Sequence, residues 1–262
     1  MKSILITGVC GGMGYAAAER FTAAGFRVFG IDRRQSCDLP IRYFSADITD
    51  EASVRAVKDK ISGETERLDG ILHFAGIYNL DSLIEISEED FIRIFDINLF
   101  GIYRINKAFV PMMGNGGRIV ITSSELAPLD PLPFTGLYAV TKGAVEKYAD
   151  SLRMELNLHG ISVSVIRPGA VKTGMLGAST EALEVFCKKT KRYACNAENF
   201  RRVVDSVETR NVMPERIADA AFKALTAKCP KYVYNINRNP LLRLLNVLPK
   251  RLQVRIIAAI IK

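Results

Sequence analysis

Along this chain, short continuous apolar runs alternate with longer stretches in which apolar residues return every three or four positions. Ser3 to Thr7, Arg27 to Ile31, Arg42 to Ser45, Asp69 to Phe74, Arg118 to Thr122 and Ser162 to Arg167 read as strands. Met13 to Ala24, Asp50 to Thr65, Glu88 to Met113 and Leu137 to His159 read as the helices between them. Ile4-Leu5-Ile6 and Ile119-Val120-Ile121 are apolar at every position, the pattern of strands covered by helices on both faces. The expectation is an α/β fold with a doubly wound parallel sheet.

Past Thr173 the rhythm loosens. Residues 174–213 are rich in Lys, Arg, Glu and Asn and predict a helical insert over the carboxyl edge of the sheet, followed by a helix from Pro214 and a strand near Tyr232 to Ile236. One domain over residues 1–239 and an apolar, basic appendage over 240–262 account for the whole. The appendage predicts two short helices on either side of Pro249, neither long enough to span a bilayer.

The formal charge of +8 changes this picture little, because Arg243, Lys250, Arg251, Arg255 and Lys262 supply five of those charges with no acidic residue among them. The body is only mildly basic and carries no recognition motif, so nucleic acid is not an expected partner. Five scattered cysteines with no two-residue spacing argue for a reducing compartment and against a disulfide framework or a metal site. The few residues before Gly8 are too short for the apolar region of a secretory signal, and a cytoplasmic protein is expected.

Candidate chemistry begins with Thr7-Gly8-Val9-Cys10-Gly11-Gly12-Met13-Gly14, which follows the first strand and opens a helix. Glycines there allow a tight turn and let backbone amides approach a pyrophosphate at the helix N-terminus. Asp32 ends the second strand 18 residues after Gly14, where a carboxylate accepts hydrogen bonds from the adenosine ribose and repels a 2′-phosphate. NAD is therefore favoured over NADP, although Arg33 and Arg34 follow at once and suit the phosphate. Tyr138 and Lys142 lie four apart on one helix face, so a cation stands beside a phenol and is expected to lower its pKa toward working pH. Tyr138 is then the candidate acid/base.

The loop Thr7 to Gly14 resembles the TGxxxGxG of the short-chain dehydrogenase/reductase family, and Tyr138 with Lys142 resembles its YxxxK. The resemblance covers about residues 1 to 235 and implies a Rossmann-like fold and hydride transfer between a nicotinamide cofactor and a carbonyl or secondary alcohol. It gives Lys142 the nicotinamide ribose and Asn98 a water in the proton relay. Asp47 and Ile48 resemble the adenine contact, and Ala75-Gly76 the end of an asparagine-glycine motif. Pro168-Gly169, Val171 and Thr173 resemble the segment that holds the carboxamide. The family's serine stands 13 before the tyrosine, a position held here by Glu125, so Ser124 is chosen, with Ser123 the runner-up. The resemblance also implies a homodimer or homotetramer paired through the helices Glu88 to Met113 and Leu137 to His159.

His73 is expected to be a satisfied histidine near the sheet edge, and the absence of GxSxG argues against a serine hydrolase. The rival reading is a dinucleotide-binding module of the same fold without chemistry. The insert offers Met175, Leu176, Leu183, Val185 and Phe186 beside Lys188, Lys189, Lys191 and Arg192. This suggests either an apolar pocket with a basic rim for a lipid-like or steroid-like carbonyl, or an amphipathic helix packed on the body. Residues 240–262 either cover that pocket and a neighbouring subunit or rest peripherally on an anionic membrane.

Overall fold

The computed structural model describes residues 1–208 and 211–262, with the side chains at 175–179 and 205–208 outside the description. Its sheet comprises β1 (Ser3–Thr7), β2 (Arg27–Asp32), β3 (Arg42–Ser45), β4 (Leu68–His73), β5 (Met113–Thr122), β6 (Ser162–Pro168) and β7 (Val233–Ile236). They are parallel in the order β3-β2-β1-β4-β5-β6-β7. The winding reverses between β1 and β4, and a crevice opens there at the carboxyl ends of the strands.

Helices α1 (Gly12–Ala23) and α8 (Pro214–Thr226) cover one face of the sheet, and α2 (Glu51–Ser62), α4 (Gly101–Phe109) and α5 (Gly136–Asn157) the other. The wholly apolar runs are explained by this double cover: Ile4, Ile6 and Val120 pack into one layer, Leu5, Ile119 and Ile121 into the other. The predicted helix Glu88 to Met113 is instead α3 (Glu88–Phe95), a π turn at Asp96–Phe100, and α4, and the chain enters β5 at Met113. Ser87 caps α3 by accepting from the Asp90 amide at 3.1 Å.

The insert forms α6 (Gly174–Lys189) and α7 (Ala194–Glu208), and the appendage forms α9 (Pro240–Val247) and α10 (Lys250–Ile261). Leu183 and Phe186 of α6, Ala197 and Phe200 of α7 and Ile261 of α10 share a separate small core with Leu80. Phe134, held at φ 65°, drives its ring into this core against Phe186, Tyr193 and Phe200. A left-handed backbone at a phenylalanine is strained and persists because that packing holds it. Among the described residues no helix is long and apolar enough to cross a membrane.

His73 ends β4 fully enclosed, with Nε2 2.9 Å from Asn106 Oδ1, while Asn106 Nδ2 donates to the Tyr148 hydroxyl at 3.1 Å. The chain Asn106–Tyr148 assigns the proton to Nε2, so the ring is the satisfied histidine expected. Burial pushes its pKa from 6.5 down to about 4. Between those values the unfolded chain takes up a proton that the folded one refuses, so the contribution is complete above the unfolded value and shrinks as pH falls. The protein should lose about 2 kcal/mol of stability from this group between pH 7 and pH 5. Urea unfolding at both pH values checks this, and His73→Gln should remove that part of the pH dependence.

Candidate active site

The turn after β1 depends on two glycines. Gly8 sits at φ +70°, and a Cβ there would lie 2.5 Å from the Ala75 amide nitrogen; at Gly14 a Cβ would lie 2.2 Å from the Gly8 carbonyl. Helix α1 is thereby brought hard against the turn. Its first turn has no acidic residue and no side-chain cap, so its leading amides are free for an anion. Asp32 stands beside this turn, its carboxylate accepting from the Cys10 amide at 3.1 Å and the Arg34 amide at 3.2 Å. These features fit a dinucleotide: amide donors where a pyrophosphate would lie and a fixed carboxylate where its ribose would reach.

The other predicted contacts flank the same crevice. Thr7 is buried and its carbonyl accepts from the Phe74 amide, which aligns β1 with the loop leading to Ala75 and Gly76. Thr173 lies over Gly12, where a Cβ would come within 2.7 Å of its methyl. Met13, Gly76, Pro168, Gly169, Val171 and Thr173 all line one cleft. Asp47 lies outside that cleft, with Oδ1 accepting from the Thr49 amide and hydroxyl, and Ile48 is buried against Gly101 of α4.

Tyr138, Lys142 and Ser124 meet in the cleft, all nearly excluded from solvent. Ser124 stands close enough to the Tyr138 hydroxyl to favour its ionised form, and the Ser124 oxygen accepts from the Leu126 amide at 3.2 Å. Lys142 Nζ donates to the Thr122 carbonyl at 3.1 Å and stands 5.7 Å from the Tyr138 ring centre. The expected fall in the tyrosine pKa does not occur. Burial raises Tyr138 to about 12 against the smaller lowering by Ser124, and burial lowers Lys142 to about 8. Both groups are held in their neutral direction because each has lost more hydration than its neighbours return.

Ser123 also lines the cleft but is engaged elsewhere. It donates to Glu146 Oε1 at 2.9 Å, and the same carboxylate is clamped by Arg167. Asn98 sits in the π turn and is fully buried. Its Oδ1 accepts from the Ile77 amide at 2.8 Å, and its Nδ2 donates to the Ile77 carbonyl at 3.0 Å and toward Thr141 at 3.3 Å. The side chain thus pins the loop after β4, bringing Gly76 so close to Lys142 that a Cβ would lie 3.7 Å from Nζ. Helical interruptions of this kind are common where a side chain has to be aimed.

The apolar wall differs from the expected one. Leu183 and Phe186 face the small core between α6 and α7, Val185 is exposed, and Met175 and Leu176 lie outside the described side chains. Lys189 pairs with Asp81, and the Lys191 and Arg192 amides donate to Glu85, so this segment is an amphipathic helix and turn packed on the body. The cleft is lined instead by Leu126, Leu132, Phe200, Val203, Val204 and, from α9, Leu242. Tyr78 was also missed: its ring lies 4.8 Å from that of Tyr138. Glu125, which occupies the position resembling the family's serine, is a buried carboxylate whose pKa burial raises, and its Oε2 accepts from the Asn239 amide at 2.6 Å. Its partner lies 114 residues away, a distance at which no local pattern gives warning.

The family model described as short chain dehydrogenase matches residues 2–184. The 3-ketodihydrosphingosine reductase of Bacteroides thetaiotaomicron is 27% identical over 231 residues, covering 87% of this chain and 85% of that protein. The NADPH-dependent 1-acyldihydroxyacetone phosphate reductase of Schizosaccharomyces pombe is 30% identical over 246 residues, covering 87% and 79%. Among solved structures, the ligand-free aldohexose dehydrogenase of Thermoplasma acidophilum superposes with a TM-score of 0.77 at 21% identity, over 91% of this chain and 95% of that one. This last likeness concerns the fold alone.

The two serines should separate in stability. Ser123→Ala removes a hydrogen bond to a carboxylate and should cost about 2 kcal/mol, whereas Ser124→Ala should cost about 1 kcal/mol or less. Equal losses in urea unfolding would show that Ser123 is not the structural member of the pair.

Proposed function

The chain belongs to the short-chain dehydrogenase/reductase family, and from that premise we propose that it reduces a ketone carried on a long apolar chain to the secondary alcohol. The observation that carries this reading is the group Ser124, Tyr138 and Lys142, buried and lining the same cleft as Leu126, Leu132, Phe200, Val204 and Leu242. Membership makes the protein an NAD(P)-dependent oxidoreductase. The substrate class rests on the cleft and on two relatives named for ketodihydrosphingosine, a long-chain amino ketone, and for an acylated dihydroxyacetone phosphate.

In this reading the amides opening α1 hold the pyrophosphate, Asp32 the adenosine ribose, and Lys142 the nicotinamide ribose. A bound nicotinamide dinucleotide supplies the hydride. Ser124 donates to the carbonyl oxygen and stabilises the charge that develops there. Tyr138 gives that oxygen its proton, and the burial that raises the phenol to about 12 keeps the proton in place until the oxygen becomes basic. Asn98 contributes by fixing Gly76 and Ile77 against Lys142, and its family role in a water relay is part of the proposal.

Mixing the protein with long-chain and short ketones while following reduced-cofactor absorbance tests the reading. Turnover should favour the long-chain substrates, and Tyr138→Phe should lower it at least about 100-fold while leaving cofactor affinity nearly unchanged. Cofactor binding without turnover across such a panel would favour the inactive binding module.

NAD(H) should bind more tightly than NADP(H), because the Asp32 carboxylate lies where a 2′-phosphate would be. A second reading, NADP(H), is favoured by Arg33 and Arg34, which are exposed and paired with no carboxylate among the described residues, and by the NADPH dependence in the yeast relative's name. Calorimetry with both cofactors decides between them.

Assembly is proposed through α4 and α5, which border a shallow groove lined by Tyr103, Val110, Pro111 and Leu152 and flanked by exposed Phe100. Self-complementary pairing across such a face gives a homodimer or, with a second axis, a homotetramer. Sedimentation at micromolar concentration should show one of these, and a monomer alone would overturn it.

A further inference from the structure

The appendage at 240–262 packs on the body through one side only. On α10, Gln253 and Ile261 are buried and Ile257 packs beside them, at the four-residue spacing of a single stripe. The end of α10 is held where Asn196 donates to the Ile261 carbonyl at 2.9 Å. Helix α9 is capped by Asn239, held from below by Glu125, and tied to the catalytic loop where the Asp130 amide donates to Asn246 at 2.6 Å. Its Leu242 enters the cleft.

The opposite side of α9 is apolar and bare. Leu241, Leu244 and Val247 recur at three-residue intervals and are 68%, 64% and 81% exposed. Three large aliphatic side chains so placed contribute nothing to the fold, and isolated exposed leucines would not line up along one helix. The same segment carries Arg243, Arg251, Arg255 and Lys262, all exposed, with no acidic residue from Pro240 onward. Among the described residues, Lys250 alone of this segment pairs with a carboxylate, that of Asp130. Apolar side chains bordered by unopposed cations match a surface that is apolar within and anionic at its face.

We propose that α9 and the basic start of α10 dock on an anionic lipid surface, with Leu241, Leu244 and Val247 inserted among the lipids and Arg243, Arg251 and Arg255 at the headgroups. Because α9 presents Leu242 to the cleft and Leu241 to the outside, docking places the cleft wall at the bilayer surface, so that a long-chain ketone reaches Tyr138 without crossing water. This route rests on the substrate reading above; the docking itself does not.

Flotation with vesicles of phosphatidylcholine alone and of phosphatidylcholine with one-third phosphatidylserine tests it. The full chain should float with the anionic vesicles, lose binding as salt is raised, and bind the neutral ones weakly. The triple variant Leu241→Ser, Leu244→Ser, Val247→Ser should bind on the order of 100-fold more weakly, with unchanged thermal unfolding and cofactor affinity, since these side chains are exposed. Arg251→Glu with Arg255→Glu should abolish the preference for anionic vesicles. A full chain that never floats, or a triple variant that floats equally well, overturns the proposal. So does a triple variant that instead loses a self-association seen in the parent by sedimentation, because the face would then be covered by a second copy of the chain. Flotation without reduction of any long-chain ketone would leave the docking surface standing and remove the substrate reading.

Discussion

An amine placed out of reach of water governs the rest of this molecule. Lys142 is buried, and a buried ammonium is tolerated only where something replaces its hydration. The Thr122 carbonyl at the end of β5 does so in part, and that bond, with the one from Ser123 to Glu146, fastens the first half of α5 to the end of the strand. Gly76 lies beside the amine and leaves room for the Asn98 amide, which holds the Gly76–Ile77 backbone. The π turn follows from the same demand, because it aims a polar amide inward from a helix whose neighbouring positions are apolar. Ser124 and Tyr138 line the same cleft as this amine.

Much of this was legible in the residues. Ile4-Leu5-Ile6 announced a doubly covered strand, and Gly8 and Gly14 announced a turn that admits no side chain. The four-residue spacing of Tyr138 and Lys142 fixed their shared face, and the family resemblance singled out Asn98. What the sequence could not show is that Ser123, the runner-up to Ser124, is engaged by Glu146 and, through it, Arg167, which arrive from α5 and β6. The direction of the tyrosine pKa was misjudged because helical spacing brings a cation near but does not report how much water is lost.

The sequence left the insert open between a pocket wall and an amphipathic helix packed on the body, and α6 fits the second. Periodicity in α6 showed that it has an apolar side, and Leu183 and Phe186 do lie on one, but what that side faces is decided by Phe134 and Phe200. The lining residues of α7 belong to a helix that is more polar overall, so no apolar run drew notice to Phe200 or Val204. Glu125 was visible only as a departure from an expected serine. Its role becomes intelligible once Asn239 is seen to hang from it.

That hydrogen bond has a thermodynamic consequence. Glu125 follows Ser124 directly in the chain, so a tail movement that displaces the Glu125 carboxylate pulls on the backbone that carries the serine hydroxyl. Any free energy by which a ligand at Ser124 favours the docked position of residues 239–247 is, by reciprocity, the free energy by which docking of that segment favours the ligand. A covalent neighbour thus converts a terminal helix, which elsewhere would be mere packing, into a term in the binding constant.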